Sequence, residues 1–284
     1  MRLLLDTSSL LYRAFFALPA SITAPDGTPV NAVRGYLDMT ARLVVDRGPD
    51  EVVHVFDDDW RPAPRVAAYA GYKSARAEEP AELTGQFALL PTVLDAFGQV
   101  QVHAPGWEAD DAIGALCHAA AGDERIAVVT GDRDLLQLVR DPHVRVLFTV
   151  KGVSELADFD EAGVQSRYGV PPSRYVDYAI LRGDPSDGLP GVPGIGDKTA
   201  RTLVAAYPDL EALLADAQAQ TPRMAERLAV AGPYVEAMRS VVPVETGVAL
   251  TTRAGRRDDA LLDDLAARHG LEGPIGRLRE ALDA

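Results

Sequence analysis

Three observations in the 284-residue chain predict an α/β fold with a mostly parallel sheet. Short apolar runs that end in aspartate recur through the first half. The stretches between them carry the apolar spacing of helices. Near residue 184 the character changes to turn-dense sequence followed by short helical patterns. Strands alternating with helices imply a parallel sheet covered by helices on both faces.

The first run, "RLLLD", ends at Asp6; "EVVHVFD" ends at Asp57; "RIAVVTGD" ends at Asp132 after a Thr-Gly turn. Each is β-branched or leucine-rich and bounded by turn residues, as expected of a strand buried on both faces. Helices are predicted around 31–46, 81–97 and 107–121. Ligands of such sheets bind outside the carboxyl ends of the strands, so three strand-end aspartates should gather along one rim. Residues 58–82 are a long insertion after the second strand, and loops of that length are usually functional or mobile. From residue 184, "GDPSDGLPGVPGIGDKTA" is dense in turn residues, and helices are predicted at 197–206, 209–218, 221–230 and 232–240. The expected organisation is an α/β core over 1–183 and a helical region over 184–284.

A net charge of −14 argues against a general electrostatic sponge for nucleic acid. Any such binding must come from local basic patches. Cys117 is the single cysteine, so neither an internal disulfide nor a cysteine metal cluster is expected. The histidines, His54, His103, His118, His143 and His269, show no ligand spacing. "MRLLLDTSS" is too weakly apolar for a signal peptide, and no apolar run approaches the ~20 residues of a membrane helix. The expectation is a soluble cytoplasmic protein. Lys73, Lys151 and Lys198 are the only lysines beside many arginines, which hints at places where a compact ammonium is wanted.

"PGWEADDAIG" places Glu108, Asp110 and Asp111 at the head of an apolar helix. Acids there gain roughly 0.3–1 kcal/mol each from the unpaired N–H groups, so this turn alone reads as capping. Other acids change the weighing: Asp134 in "GDRD", and Asp184 and Asp187 in "GDPSD". With Asp6, Asp57 and Asp132 they make nine candidates. Nine carboxylates in one cleft repel one another unless several are protonated or divalent cations sit among them. Oxygen-only donors suit Mg²⁺ or Mn²⁺. Two such ions roughly 3.5–4 Å apart stabilise the attacking and leaving oxygens of an in-line phosphoryl displacement.

The chain resembles the bacterial 5′-nuclease family, the 5′→3′ exonuclease domain of DNA polymerase I and its stand-alone flap-endonuclease relatives. The resemblance rests on "LLLDTSSLLYRAFFALP", "NAVRGYLDM", "VFD", "GYKSAR", "PGWEADDAIG", "VVTGDRDLLQLV" and "LRGDPSDGLPGVPGIGDKTA", in the family's order. It implies a PIN-like sheet, a helical arch over 58–82, and a helix–three-turn–helix DNA-binding element in the C-terminal helical region. It also implies that Asp6, Asp57, Glu108, Asp110, Asp111, Asp132, Asp134, Asp184 and Asp187 are metal-binding acids. One ion would be held from the Asp57, Glu108 and Asp110 side and the other from the Asp132, Asp134 and Asp187 side, with Asp6, Asp111 and Asp184 acting partly through water. Asp110 and Asp132 would be catalytic, together with Lys73 and Arg76. The chain departs from the pattern at Thr7 (usually Gly), Pro64-Arg65 (usually Phe-Arg), Arg133 (usually Lys) and Gly188 (usually Asn), and no departure removes a ligand.

Gly194 and Gly196 allow a tight turn into a helix whose free N–H groups can face a phosphate, with Lys198, Thr199 and Arg201 beside it. A dinucleotide fingerprint would need a strand directly before the glycines, and the prolines at 190 and 193 exclude one. By resemblance this element grips duplex backbone, often with a bound K⁺. In the insertion, Arg61, Arg65, Tyr69, Tyr72, Lys73 and Arg76 interleave aromatics with cations, which suits a single strand passing through; Arg13 and Arg34 are further candidates. The implied activity is metal-dependent hydrolysis of DNA at a 5′ flap, nick or 5′ end by a monomer in replication and repair, with no membrane. A PIN-type ribonuclease would lack the 184–206 element, and a non-catalytic junction-binding module would have lost several acids.

Overall fold

The computed structural model describes residues 1–120 and 122–284. The first strand, β1 (Arg2–Asp6), runs directly into α1 (Thr7–Ala17), followed by α2 (Asn31–Arg47) and β2 (Glu51–Val55). Then come α3 (Ala63–Ala68), α4 (Ala81–Ala96), β3 (Val100–His103), α5 (Ala109–Ala119), β4 (Ile126–Thr130), β5 (Val144–Thr149) and β6 (Leu156–Phe159). The remainder is α6 (Glu161–Tyr168), α7 (Tyr175–Arg182), α8 (Asp197–Ala206), α9 (Leu210–Ala215), α10 (Pro222–Met238), β7 (Thr251–Ala254), α11 (Asp259–His269) and α12 (Glu272–Asp283).

These strands form one sheet in the order β6-β5-β4-β1-β2-β3-β7. The five inner strands are parallel, and β6 and β7 close the edges antiparallel. Period-two alternation feeds two cores: Leu4 enters one, Leu3 and Leu5 the other, and all three are fully buried. Burial on both faces is what made the strands read as unbroken apolar runs. The decisive feature for function is the adjacency β4-β1-β2-β3, because neighbouring strands lie about 4.8 Å apart. Their carboxyl ends, with the residues just beyond, therefore form a continuous rim.

The predicted strands at 2–6, 51–57 and 126–132 and helices at 31–46, 81–97 and 107–121 all have counterparts. Strands β3, β5, β6 and β7 had been passed over. They are short, and β7 is exposed along its length, so its pairing with β3 leaves no apolar signature. The helices expected at 221–230 and 232–240 are one, α10, which runs through Pro233. The preceding turn faces solvent at Ala229 and Val230, where water can serve a carbonyl deprived of its N–H partner. The division expected at 183/184 needs amendment at the far end. Strand β7 joins the sheet, and α12 packs against α2, so the last stretch returns to the core.

Within the 58–82 insertion, the six residues of α3 are followed by hydrogen-bonded turns over 69–76, and α4 begins at Ala81. The insertion's side chains Arg65, Tyr72 and Lys73 are directed inward and buried.

Candidate active site

Chain topology aligns the acids. Asp6 closes β1, Asp57 follows β2 by two residues, Asp132 follows β4 by two, and Glu108 caps α5 after β3. Together with Asp110 they line a cleft of about 1120 Å³ whose other walls include Arg13, Lys73 and Arg76. Asp134, Asp184 and Asp187 border this group without lining the cleft. The Asp134 N–H donates to Asp132 Oδ1 at 2.8 Å. Asp184 accepts from the Ser186 N–H at 2.9 Å, and Asp187 accepts from Arg76 Nη2 at 2.9 Å.

Each strand-end acid is also tied into the backbone. Asp6 accepts from the Ser9 N–H at 3.1 Å, which caps α1, and from Thr130 Oγ1 at 2.6 Å. Asp57 accepts from the Ala109 N–H at 2.8 Å, in the first turn of α5. Capping and convergence thus use the same side chains.

Asp111 has a different part from the ligand role expected of it. It is fully buried and absent from the cleft lining. Its carboxylate accepts from both terminal nitrogens of Arg65, at 2.7 and 2.6 Å, from the Glu108 N–H at 3.3 Å and from the Glu245 N–H at 2.9 Å. At this position the capping reading prevails over the ligand reading.

Arg65 and Tyr72 likewise leave the set of expected DNA contacts, because both are buried and, unlike Lys73, neither lines the cleft. Arg65 Nη1 also donates to Glu108 at 2.6 Å, and Arg65 reaches the carbonyls of Val241 and Pro243 at 3.0 and 3.1 Å. Tyr72 donates its hydroxyl to Glu108 at 2.5 Å. Lys73 Nζ donates to the other oxygen of Glu108. Burial alone would lower the pKa of Lys73, but Glu108 and Asp187 outweigh it and raise the ammonium's pKa.

Lys73 sits at φ 50°, the one non-glycine residue with positive φ among the described residues. That conformation is uncommon and costly for a side chain of this size. Its N–H is held by the Asp187 carbonyl at 2.9 Å. Gly188 packs beside it: a Cβ there would stand 2.6 Å from the Gly71 carbonyl oxygen. The turn that carries Asp184 and Asp187 thus seats the turn that carries Lys73 and Arg76.

Charge compensation is uneven across the cleft. Salt bridges reach Glu108, Asp111, Asp184 and Asp187. Among the described residues none reaches Asp6, Asp57, Asp110, Asp132 or Asp134. Burial first, and then neighbouring carboxylates, push Asp110 and Asp134 well above the usual range. Asp132 is raised by burial, and burial pushes Asp6 up to about 7. Asp134 Oδ1 is a buried oxygen with no hydrogen-bond partner. An orphaned buried carboxylate oxygen beside other acids that the protein's own cations do not reach is the donor chemistry a hard divalent cation requires. Among the described residues no three such groups stand close enough together to hold an ion as they are; protein donors hold several of them instead.

The second expected element also takes shape. Between α7 and α8 the chain turns through Gly194 (φ 75°) to Gly196, which caps α8. Lys198 is exposed on the first turn, Thr199 is half-buried beside it, and Arg201 pairs with Asp197 at 2.8 Å. Sequence reasoning missed Arg227 on α10. It donates to the Gly194 carbonyl at 2.8 Å and adds a cation to this turn across 33 residues, a pairing no local pattern carries. Arg13 lines the acidic cleft with its guanidinium over Gly131. Arg34 is half-buried on α2, away from the cleft lining.

Two family models match in succession: "5'-3' exonuclease, N-terminal resolvase-like domain" over residues 1–169 and "5'-3' exonuclease, C-terminal SAM fold" over 170–258. A 5′-3′ exonuclease of Streptomyces coelicolor is 48% identical, over 99% of this chain and 100% of that protein. A DNA polymerase I of Mycobacterium bovis is 43% identical over 80% of this chain, which spans 25% of the polymerase. Among solved structures, the bacteriophage T5 D15 flap endonuclease in complex with DNA and metal ions superposes with a TM-score of 0.66 at 15% identity, covering 99% of this chain and 98% of that one. That likeness is one of fold.

Proposed function

The chain belongs to the 5′-3′ exonuclease family, and from that premise we propose that it is a divalent-metal-dependent nuclease that hydrolyses DNA phosphodiesters at 5′ ends and at 5′ flap junctions. The observation that carries this reading is the rim of acids at four adjacent strand ends, part of it without protein counter-charge. Mg²⁺ or Mn²⁺ bound there would stabilise the attacking and leaving oxygens of the displacement. Asp57, Glu108 and Asp110 would hold one ion, and Asp132, Asp134 and Asp187 the other. Asp6 and Asp184 would act through water.

The chain's own residues orient the substrate. Lys73 and Arg76, seated on the 184–188 turn, meet the scissile phosphate, and Arg13 approaches it from α1. The turn at 194–198, with Lys198, Arg201 and Arg227, holds the backbone of the downstream duplex through N–H groups and cations, with a K⁺ ion as an additional bridge. Cleavage leaves a 3′-hydroxyl and a 5′-phosphate, and the working unit is a monomer. No described helix is long and apolar enough to cross a membrane.

The test is cleavage of 5′-labelled flap, nicked and single-stranded DNA in excess EDTA and after adding Mg²⁺ or Mn²⁺. Cleavage absent in chelator and restored by either ion is expected. Undiminished hydrolysis in chelator would sink the reading.

A further inference from the structure

Two large aromatic rings stand exposed in the acidic cleft, and nothing in the hydrolysis uses them. Phe16 is 73% exposed and Trp60 49%, and both line the cleft that holds the acids. The single strand was expected to stack on the tyrosines of the insertion, yet Tyr72 is buried against Glu108. The open rings are others.

Helix α1 forms one wall. Ser9, Tyr12, Arg13 and Phe16 follow the spacing of a single helix face, and all four line the cleft. Phe16 stands ten residues beyond Asp6, about 15 Å along the axis at ~1.5 Å per residue. Its ring packs edge-on against Phe15 at 5.2 Å and lies nearly parallel to Tyr12 at 6.4 Å. With both contacts made, Phe16 is still 73% exposed.

The residues on both sides of Trp60 are tied down. The N–H groups of Asp58 and Asp59 each donate to the Trp107 carbonyl at 3.1 Å. The Arg61 N–H donates to Asp59 at 2.9 Å, and its guanidinium donates to the carbonyls of Tyr72 and Ala70 at 2.6 and 2.8 Å. Anchored flanks leave the main chain at Trp60 little freedom to lose when the exposed ring meets a flat partner.

The cleft therefore offers open aromatic faces together with the cations Arg13, Lys73 and Arg76. That combination matches an unpaired nucleic-acid strand, with phosphates for the cations and bases for the rings. We propose that Phe16 and Trp60 form a stacking platform for bases of the unpaired 5′ strand, so that this protein grips a flap by its bases as well as its phosphates. The proposal rests on the nuclease reading above.

Flap DNA with an oligothymidine 5′ strand, the same DNA with an abasic 5′ strand, and flap-free nicked duplex are titrated in EDTA, where hydrolysis is off, with fluorescence anisotropy as the readout. Both flaps carry the same phosphates. Wild type should bind the thymidine flap about tenfold more tightly than the abasic one, and Phe16→Ala/Trp60→Ala should lower that preference below about twofold. Affinity for nicked duplex should be unchanged in the variant. Quenching of tryptophan emission by the thymidine flap should persist in Trp107→Phe and vanish in Trp60→Phe. Equal wild-type affinity for both flaps, or a base preference that survives in the double variant, overturns the platform while the nuclease reading stands. Failure of wild type to cleave any of these DNAs with Mg²⁺ present overturns the nuclease reading instead.

Discussion

The two sides of the acidic cleft solve the same electrostatic problem differently. On the α5 side, Glu108 and Asp111 are matched by Arg65 and Lys73, with Tyr72 adding a hydroxyl. On the β4 side, Asp132 and Asp134 have neighbouring acids and an unpartnered oxygen. Around Asp111 and Arg65, away from the cleft lining, the first arrangement is a finished buried ion network, and only Glu108 and Lys73 of its members also face the cleft. In the second, no protein cation among the described residues reaches either acid, and Asp134 Oδ1 has no hydrogen-bond partner.

The largest effect that could break this comparison belongs to Asp110, an acid in the cleft without a protein cation. Asp110→Asn should cut single-turnover cleavage by at least about a thousandfold, ~4 kcal/mol of barrier. Flap binding should hold or improve, and the metal-free melting temperature should rise, because a repelled charge is gone. A fall in melting temperature would show that Asp110 is structural.

Arg65→Met probes the finished side. It leaves Glu108 and Asp111 buried with too little counter-charge and should cost about 3–5 kcal/mol of unfolding free energy in denaturant titrations. Divalent ions should restore only part of that loss. Full restoration would mean that a bound ion can replace Arg65 at Asp111 as well as at Glu108, and the distinction between the two sides would collapse.

The acids without a protein cation also predict how stability depends on pH. Asp6 is raised to about 7 from an unfolded value near 4, and Asp110, Asp132 and Asp134 are raised in the same sense. The folded state therefore holds these protons more tightly. Their stabilisation is fully present below about pH 4 and is lost as pH rises through each folded-state pKa, which for Asp6 is about 7. Burial lowers His54 to about 4, so it has the opposite slope between about 4 and 6.5. That slope is the same with or without Mg²⁺. The difference between melting curves with Mg²⁺ and with EDTA isolates the acids, and the gain from Mg²⁺ should grow with pH. A gain independent of pH would contradict the assignment.

The smallest effect lies outside the cleft. Lys198→Ala should weaken binding to substrates with a long downstream duplex and reduce the salt slope by about one phosphate contact, ~0.9 in log–log units. Single-turnover cleavage at saturating enzyme should stay near wild type. An equal loss in binding and chemistry would merge the duplex turn with the catalytic rim.

The central strands were legible because burial on both faces leaves unbroken apolar runs, as in "RLLLD" and "RIAVVT". The acids were legible because they sit at fixed offsets from those runs. Strand β7 was not, since its exposed TTRA segment is specified only by pairing with β3. Arg227 was not, since its partner Gly194 is a tertiary neighbour.

By itself the sequence determined the central strands β1, β2 and β4, the positions of the acids along the chain and the turn at 188–196, because these depend on local pattern. Only the tertiary structure decided which side chains face the cleft. Whether Asp111 binds an ion or Arg65, whether Tyr72 stacks a base or holds Glu108, and whether Trp60 stands open depend on which distant segment packs against each. Buried charge has to be matched in three dimensions, and residues 65, 108, 111 and 245 meet only when the chain has folded.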